Sequence, residues 1–259
     1  MKIKTLLYSM AAALAVLTSC DNVDEGERFI YVKPADVQRC VLIEDFTGQN
    51  CPNCPNAAQA LEALHEEYSD NVIAVAIHGG RLAYTPLKSP VGDEYYTAAG
   101  SPNLPAGRID RIGGTSVYAQ WAGAVSNAIS RKATVSFNIG SDYDAAAGTA
   151  AVSVDVLGLE AVSGKLQIWL VEDGIVAWQA QPDGSVNPEY VHNHVLRAAV
   201  NGTWGEDITL GEGETVTVNC TAPIDGTWNA ANMSVVAFVY NDGGVQNVAK
   251  APLVTPTAE

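Results

Sequence analysis

The chain has 259 residues, 47% of them hydrophobic and 17% charged, with a formal net charge of −15. These values exclude a disordered or fibrous chain and leave length for one large or two ordinary domains, each with its own core. The scarcity of Lys and Arg excludes nucleic acid as a partner, because phosphate binding depends on those side chains.

In chain order, residues 1–19 read as a lipoprotein signal peptide: Lys2 and Lys4, an apolar stretch from Leu6 to Leu17, then small residues. The stretch is short for a membrane span, and no later run is long and uncharged enough to cross a bilayer. Leu17-Thr18-Ser19-Cys20 has the form of a lipobox, so Cys20 is the expected lipidation site. Residues 20–28 carry Asp21, Asp24, Glu25 and Glu27 and read as an acidic, solvated tether between the acyl anchor and the fold. An envelope location allows disulfides to persist.

Residues 29–132 form the first expected domain. Cys40–Phe46 is a buried strand by its apolar, β-branched run, and Ala57, Leu61, Leu64 and Tyr68 mark one face of an amphipathic helix. Val72–His78 is a second buried strand, which completes a βαβ unit with parallel strands. A proline-rich stretch with a short helix near Asp93–Ala99 follows. "LPAGRIDR" reads as an edge or turning strand, and Val117, Trp121, Ala124 and Ala128 mark another helical face with Thr115 or Ser116 as its cap. From residue 133 to 259 the texture is short alternating segments between Gly-, Asp- and Asn-rich turns, which predicts an all-β sandwich of about seven strands. Asp173-Gly174 and Asn241–Gly244 each lie between two such runs and read as hairpin turns.

The chemistry-bearing stretch is "DFTGQNCPNCP", from Asp45 to Pro55. A structural zinc site needs four ligands at recognisable spacing, and no second Cys or His pair accompanies Cys51 and Cys54. Two readings stay open. In the redox reading, Cys51 lies at a helix N-terminus as an exposed thiolate nucleophile and Cys54 resolves the mixed disulfide from one turn in. Asp45, at the end of the preceding strand, carries the proton to and from Cys54, its pKa raised by desolvation. In the other reading, Cys51–Cys54 is a closed disulfide that never turns over. Cys40 and Cys220 read as small buried hydrophobes, with a disulfide between them as a lesser alternative. His192 and His194 read as ordinary strand side chains.

At Asp45-Phe46, the Cys-x-x-Cys and the helix after it, the chain resembles the thioredoxin superfamily. That resemblance implies a cis-proline facing the cysteines, for which Leu104-Pro105 is the matching position. The lipobox, "EDFTGQNCPNCP", "PAGRIDR", "VEDGIVAWQ" and "YVHNHVLRAAV" together resemble the Omp28 family of outer-membrane lipoproteins of Gram-negative anaerobes. The resemblance implies an α/β thioredoxin-like domain followed by an all-β immunoglobulin-like sandwich, anchored at the outer membrane and facing outward. Two functions follow: the strand, Cys-x-x-Cys, helix and proline point to thiol–disulfide exchange on envelope or extracellular proteins, with Cys51, Cys54, Asp45 and Pro105 as the catalytic set, while the family resemblance implies a surface adhesin or receptor, in which the disulfide is structural. The expected partners are protein thiols or disulfides, the bilayer through its acyl anchor, and host or matrix proteins; no cofactor or metal is expected. Two departures stand out: the spacer is Pro52-Asn53 rather than Gly-Pro, and Asn50 replaces the usual Trp before the first cysteine.

Overall fold

Continuous apolar runs with no polar alternation dictate strands that are covered on both faces. Such a run is β1 (Val41–Thr47), every residue of which is buried in the computed structural model, which describes residues 37–254. The signal peptide, Cys20 and the tether lie outside the described residues.

After β1 come α1 (Cys54–Tyr68), β2 (Val72–His78), α2 (Pro90–Ala98), β3 (Ala106–Ile109) and α3 (Trp121–Ile129). Ser89 caps α2, its hydroxyl accepting from Gly92 N–H at 3.1 Å, and Pro90 supplies the pre-set first residue. Ser116, an expected cap of α3, instead exchanges backbone hydrogen bonds with Gly107 at 2.8 and 2.9 Å, and the helix starts five residues later at Trp121. A Cβ on Gly107 would lie 2.4 Å from the Trp121 ring, so this crossing admits only glycine.

The remaining strands are β4 (Val135–Asp144), β5 (Thr149–Gly158), β6 (Val162–Glu172), β7 (Ile175–Ala180), β8 (Val186–His192), β9 (Val195–Ala199), β10 (Glu206–Leu210), β11 (Thr215–Pro223), β12 (Met233–Asn241) and β13 (Gly244–Pro252). β1 pairs parallel with β2 from Val41↔Val72 to Thr47↔His78, and antiparallel with β3. The order β13-β12-β6-β9-β2-β1-β3, with β10 also on β6, makes one eight-stranded mixed sheet; β11-β5-β4 is a second sheet, and β7-β8 stand as a hairpin of their own.

An α/β thioredoxin-like domain followed by an all-β immunoglobulin-like sandwich is therefore not what these residues build. Thirteen strands outnumber three α-helices among the described residues, and the main sheet takes strands from both halves of the chain. The join is β9, which meets β2 at Ala76↔Val195 and β6 on its other side. The physical reason lies in two runs, Leu166–Glu172 and Met233–Val239, which are buried at every position. A sandwich strand buries one face and wets the other. Here Leu166, Ile168, Leu170, Val235 and Ala237 pack with β4, β5 and β11, while Trp169, Val171, Val236 and Phe238 face the other way, into a core shared with Leu42, Phe46, Ile73, Val75 and Tyr95. A third core lies between α1, α3 and the opposite face of β1 and β2.

The Asp173-Gly174 turn also differs from expectation. β6 and β7 do not pair across it; the Asp173 carboxylate instead accepts from the His194 backbone N–H at 2.6 Å and holds Lys250 at 3.1 Å. Asn241–Gly244 does close a hairpin, between β12 and β13.

Candidate functional site

The loop after β1 is clamped before any side chain acts. Asn50 N–H donates to the Leu82 carbonyl at 3.0 Å, and the buried Gln49 side-chain oxygen accepts from Tyr84 N–H at 2.7 Å. A Cβ on Gly48 would lie 2.6 Å from the Leu82 carbonyl oxygen, which explains glycine there.

Cys51 and Cys54 form a disulfide across this loop, with Cα atoms 5.5 Å apart. Cys54, not Cys51, is the first residue of α1, so Cys51 sits ahead of the helix rather than in its first turn. Nor is Cys51 exposed: it is 1% accessible and Cys54 4%. The β7–β8 hairpin is bonded onto the backbone of this loop. The Gln179 side-chain amide donates to the Cys51 carbonyl at 2.9 Å and to the Gly48 carbonyl at 3.4 Å, and Ala180 N–H donates to the Gln49 carbonyl at 2.8 Å. The expectation of an open nucleophilic sulfur is corrected by these contacts. It failed because the covering residues lie some 130 positions away, and only long-range pairing reveals them.

The Leu104–Pro105 peptide is cis, and Pro105 leads into β3, whose Ala106 pairs with Phe46 at the end of β1 nearest the cysteine loop. Thr85–Pro86, which the sequence did not single out, is also cis. Cys40 and Cys220 are free, half-buried thiols, each pushed up in pKa first by burial.

Asp45 is 3% exposed on the face of β1 that looks toward α1, and its Oδ1 has no hydrogen-bond partner. Burial pushes its pKa up to about 7. It borders a cavity of about 530 Å³ between α1, the ends of β1 and β2, and the inner face of the β7–β8 hairpin. Cys54 lines the same cavity, as do His65, His78, His192 and His194, which are all the histidines of the chain. His192 and His194, read from the sequence as ordinary strand side chains, each meet another histidine: His192 lies 5.5 Å from His78 between ring centroids, and His194 lies 5.2 Å from His65. One signal was present in the sequence. Cys54, Ala58, Leu61 and His65 recur at i, i+4, i+7 and i+11, one helical face, and all four line the cavity. No cluster of three or more metal-ligating side chains occurs among the described residues.

The family model described as outer membrane protein Omp28 matches residues 92–256. No curated protein matches the chain. Among solved structures, HBP35 of Porphyromonas gingivalis is similar at 18% identity and a TM-score of 0.70, over 86% of this chain and 78% of that one. A protein from Agrobacterium tumefaciens is similar at 17% identity and a TM-score of 0.53, over 87% of this chain and 99% of its own. A domain of the outer membrane lipoprotein Omp28 from Porphyromonas gingivalis aligns at 26% identity over 47% of this chain and 88% of its own, with a TM-score of 0.33. The first two likenesses show the fold alone, and they span both halves of the chain, as the continuous main sheet does.

Proposed function

The chain belongs to the family of the outer membrane protein Omp28, and from that premise we propose that it is a lipid-anchored binding protein in which Cys51–Cys54 is a closed staple. Its location is the outer membrane. The lipobox at Cys20 supports attachment to the bilayer through acyl chains, with residues 20–28 as the tether.

The observation that carries this reading is the burial of Cys51 beneath Gln179. A thiolate must approach a disulfide sulfur directly, and Cys51 and Cys54 are only 1% and 4% accessible. The hairpin itself supports a binding role, because its sidedness is reversed. Polar Gln179, Tyr190 and His192 line the cavity behind the hairpin, with Val191 at its edge, while Val176 and Val191, a directly paired couple, are 61% and 51% exposed. Trp178 lies beside them and stacks at 5.7 Å on Tyr84, itself 43% exposed. A hairpin that served only as a cover would turn its valines inward. An apolar outer face of this kind marks a protein partner, for which host or matrix proteins are the class proposed.

A second reading, thiol–disulfide exchange on envelope or extracellular proteins, is favoured by Asp45, since a staple has no use for an unpartnered buried carboxyl beside Cys54. In it the hairpin lifts and an external dithiol, itself oxidised to its disulfide, reduces Cys51–Cys54. The Cys51 thiolate then displaces a thiolate from a substrate disulfide. Cys54, its proton passing to Asp45, attacks Cys51 and displaces the substrate's remaining sulfur as a thiolate, which restores the pair as a disulfide. Pro105 would border the substrate peptide.

Reduction kinetics separate the two. With dithiothreitol, the native disulfide is expected to open about 100-fold more slowly than in the denatured chain, the effect of a local opening that costs about 3 kcal/mol. Equal rates, with insulin reduction that Cys51→Ser abolishes, would establish exchange instead. Under the binding reading, Val176→Asp with Val191→Asp lowers affinity for immobilised matrix proteins by about tenfold or more and leaves the thermal midpoint unchanged; retained affinity would exclude this face.

A further inference from the structure

The staple explains the disulfide but not the cavity behind it. Buried polar atoms normally have partners, and four on residues that line this cavity make no hydrogen bond: Asp45 Oδ1, His78 Nδ1 and His192 Nε2, on residues 3%, 3% and 6% exposed, and His194 Nδ1, which lies 3.0 Å from the Asp173 carboxylate. His192 Nε2 has no partner in the fold, and a neutral imidazole offers one acceptor nitrogen. The His78 and His192 rings meet edge to face, and both line the cavity.

The charge of the lining is one-sided. Asp45 and Glu62 are its acids, and no Lys or Arg lines it. The cations nearest its histidines are engaged elsewhere: Arg197 with Glu172 at 2.7 Å and Lys250 with Asp173 at 3.1 Å. Burial keeps both inner imidazoles neutral, with pKa values lowered to about 3 for His78 and about 4 for His192, so they accept rather than repel.

We propose that this cavity binds a primary ammonium group, whose N–H donors and single positive charge answer the unpartnered Asp45 carboxylate and the neutral imidazoles that line the cavity with it. A quaternary ammonium has the charge but no donors. A metal ion would need a ligand cluster, and none is present among the described residues. Pro55, Ala58 and Leu61 offer an apolar wall for the methylenes of the carrier. The ammonium belongs either to a free alkylamine or to a lysine side chain of a polypeptide. This site meets the hairpin's outer face at Val191 and does not require the disulfide to turn over.

The test is calorimetric titration of the full mature chain with n-butylammonium chloride, tetramethylammonium chloride, and a peptide carrying one lysine or one acetyl-lysine. Butylammonium or the lysyl peptide is expected to bind at pH 8, and the tighter of the two identifies the source. The affinity should fall about tenfold or more at pH 6 as Asp45 takes up a proton, and by a similar factor at pH 8 in Asp45→Asn, the weight of one charge-assisted hydrogen bond. Glu62→Gln, at an exposed rim position that carries no folding risk, should weaken binding about two- to threefold. No binding by either donor, equal binding of tetramethylammonium or acetyl-lysine, or an affinity untouched by both Asp45→Asn and Glu62→Gln would overturn the proposal.

Discussion

Replacing Glu44 by leucine is expected to lower the unfolding free energy by about 3–5 kcal/mol, the usual penalty for removing one partner of a buried ion pair. Glu44 is wholly buried in β1 and accepts from Arg108 Nε at 2.8 Å and Arg111 Nε at 3.0 Å. Burial works against its ionisation, but Arg111 and Arg108 outweigh it and hold its pKa below the usual carboxylate range. Arg111 cannot escape to water when the carboxylate goes. Its guanidinium lies 4.3 Å from the Tyr240 ring centroid, 4.8 Å from Phe238, 5.4 Å from Trp169 and 5.6 Å from Tyr95, a cage that favours a cation but supplies no counter-charge. Asp110 and Arg111 also hold left-handed backbone at φ 50° and 57°, a conformation uncommon for residues with side chains. Their side-chain bonds, Asp110 to Arg39 and to Leu42 N–H and Arg111 to Glu44, tie that turn to the start of the main sheet. Denaturant unfolding of Glu44→Leu, Arg111→Met and the double variant checks the account. The double variant should be less unstable than the sum of the singles by at least about 1 kcal/mol, since it leaves no orphaned charge in the cage. Strict additivity would mean that the pair is not coupled.

That turn shows what was legible and what was not. The apolar periods placed β1, α1 and β2 close to their observed bounds, because strands buried on both faces and an amphipathic helix write themselves into neighbouring residues. "GRIDR" was legible only as a string. Its meaning, two arginines sharing Glu44 and an aspartate holding Arg39, lies in pairings across 64 to 71 positions. "VEDGIVAWQ" and "YVHNHVLRAAV" were likewise opaque. They supply Glu172 and Arg197, which pair with each other, Gln179 over the disulfide, and Tyr190, His192 and His194 around the cavity. A reversed hairpin with its polar side inward alternates just as an ordinary one does, so the period could not say which side was wet. The continuous runs in β6 and β12 did carry the correction to the fold class, since burial on both faces is itself a signal of a central strand.

Acidification from pH 7 to pH 5 should destabilise Asp45→Asn by about 4 kcal/mol but the native chain by only about 1 kcal/mol, because the cavity holds groups of opposite linkage. His78 and His192 titrate at about 3 and about 4 when folded, lowered first by burial, against about 6.5 when unfolded. Their neutral forms therefore lend stability that is complete above pH 6.5 and drains away as the pH falls, at about 1.4 kcal/mol per unit for each group. Asp45 runs the other way. Burial raises it to about 7 against about 3.9 unfolded, so its protonated form lends stability at low pH that is lost as the pH rises through 7. Over this window the proton that Asp45 welcomes offsets most of what the two imidazoles refuse. Asparagine removes the offset and leaves the histidine slope bare, while His78→Gln in the native background should remove part of that slope and leave stability rising as the pH falls. Glu44 and Asp173, both held below the usual carboxylate range, keep their charge over the whole window and do not contribute to it. Chemical unfolding at pH 7, 6 and 5 reads the slopes directly. A flat Asp45→Asn profile would mean that the two imidazoles reach water in the folded chain.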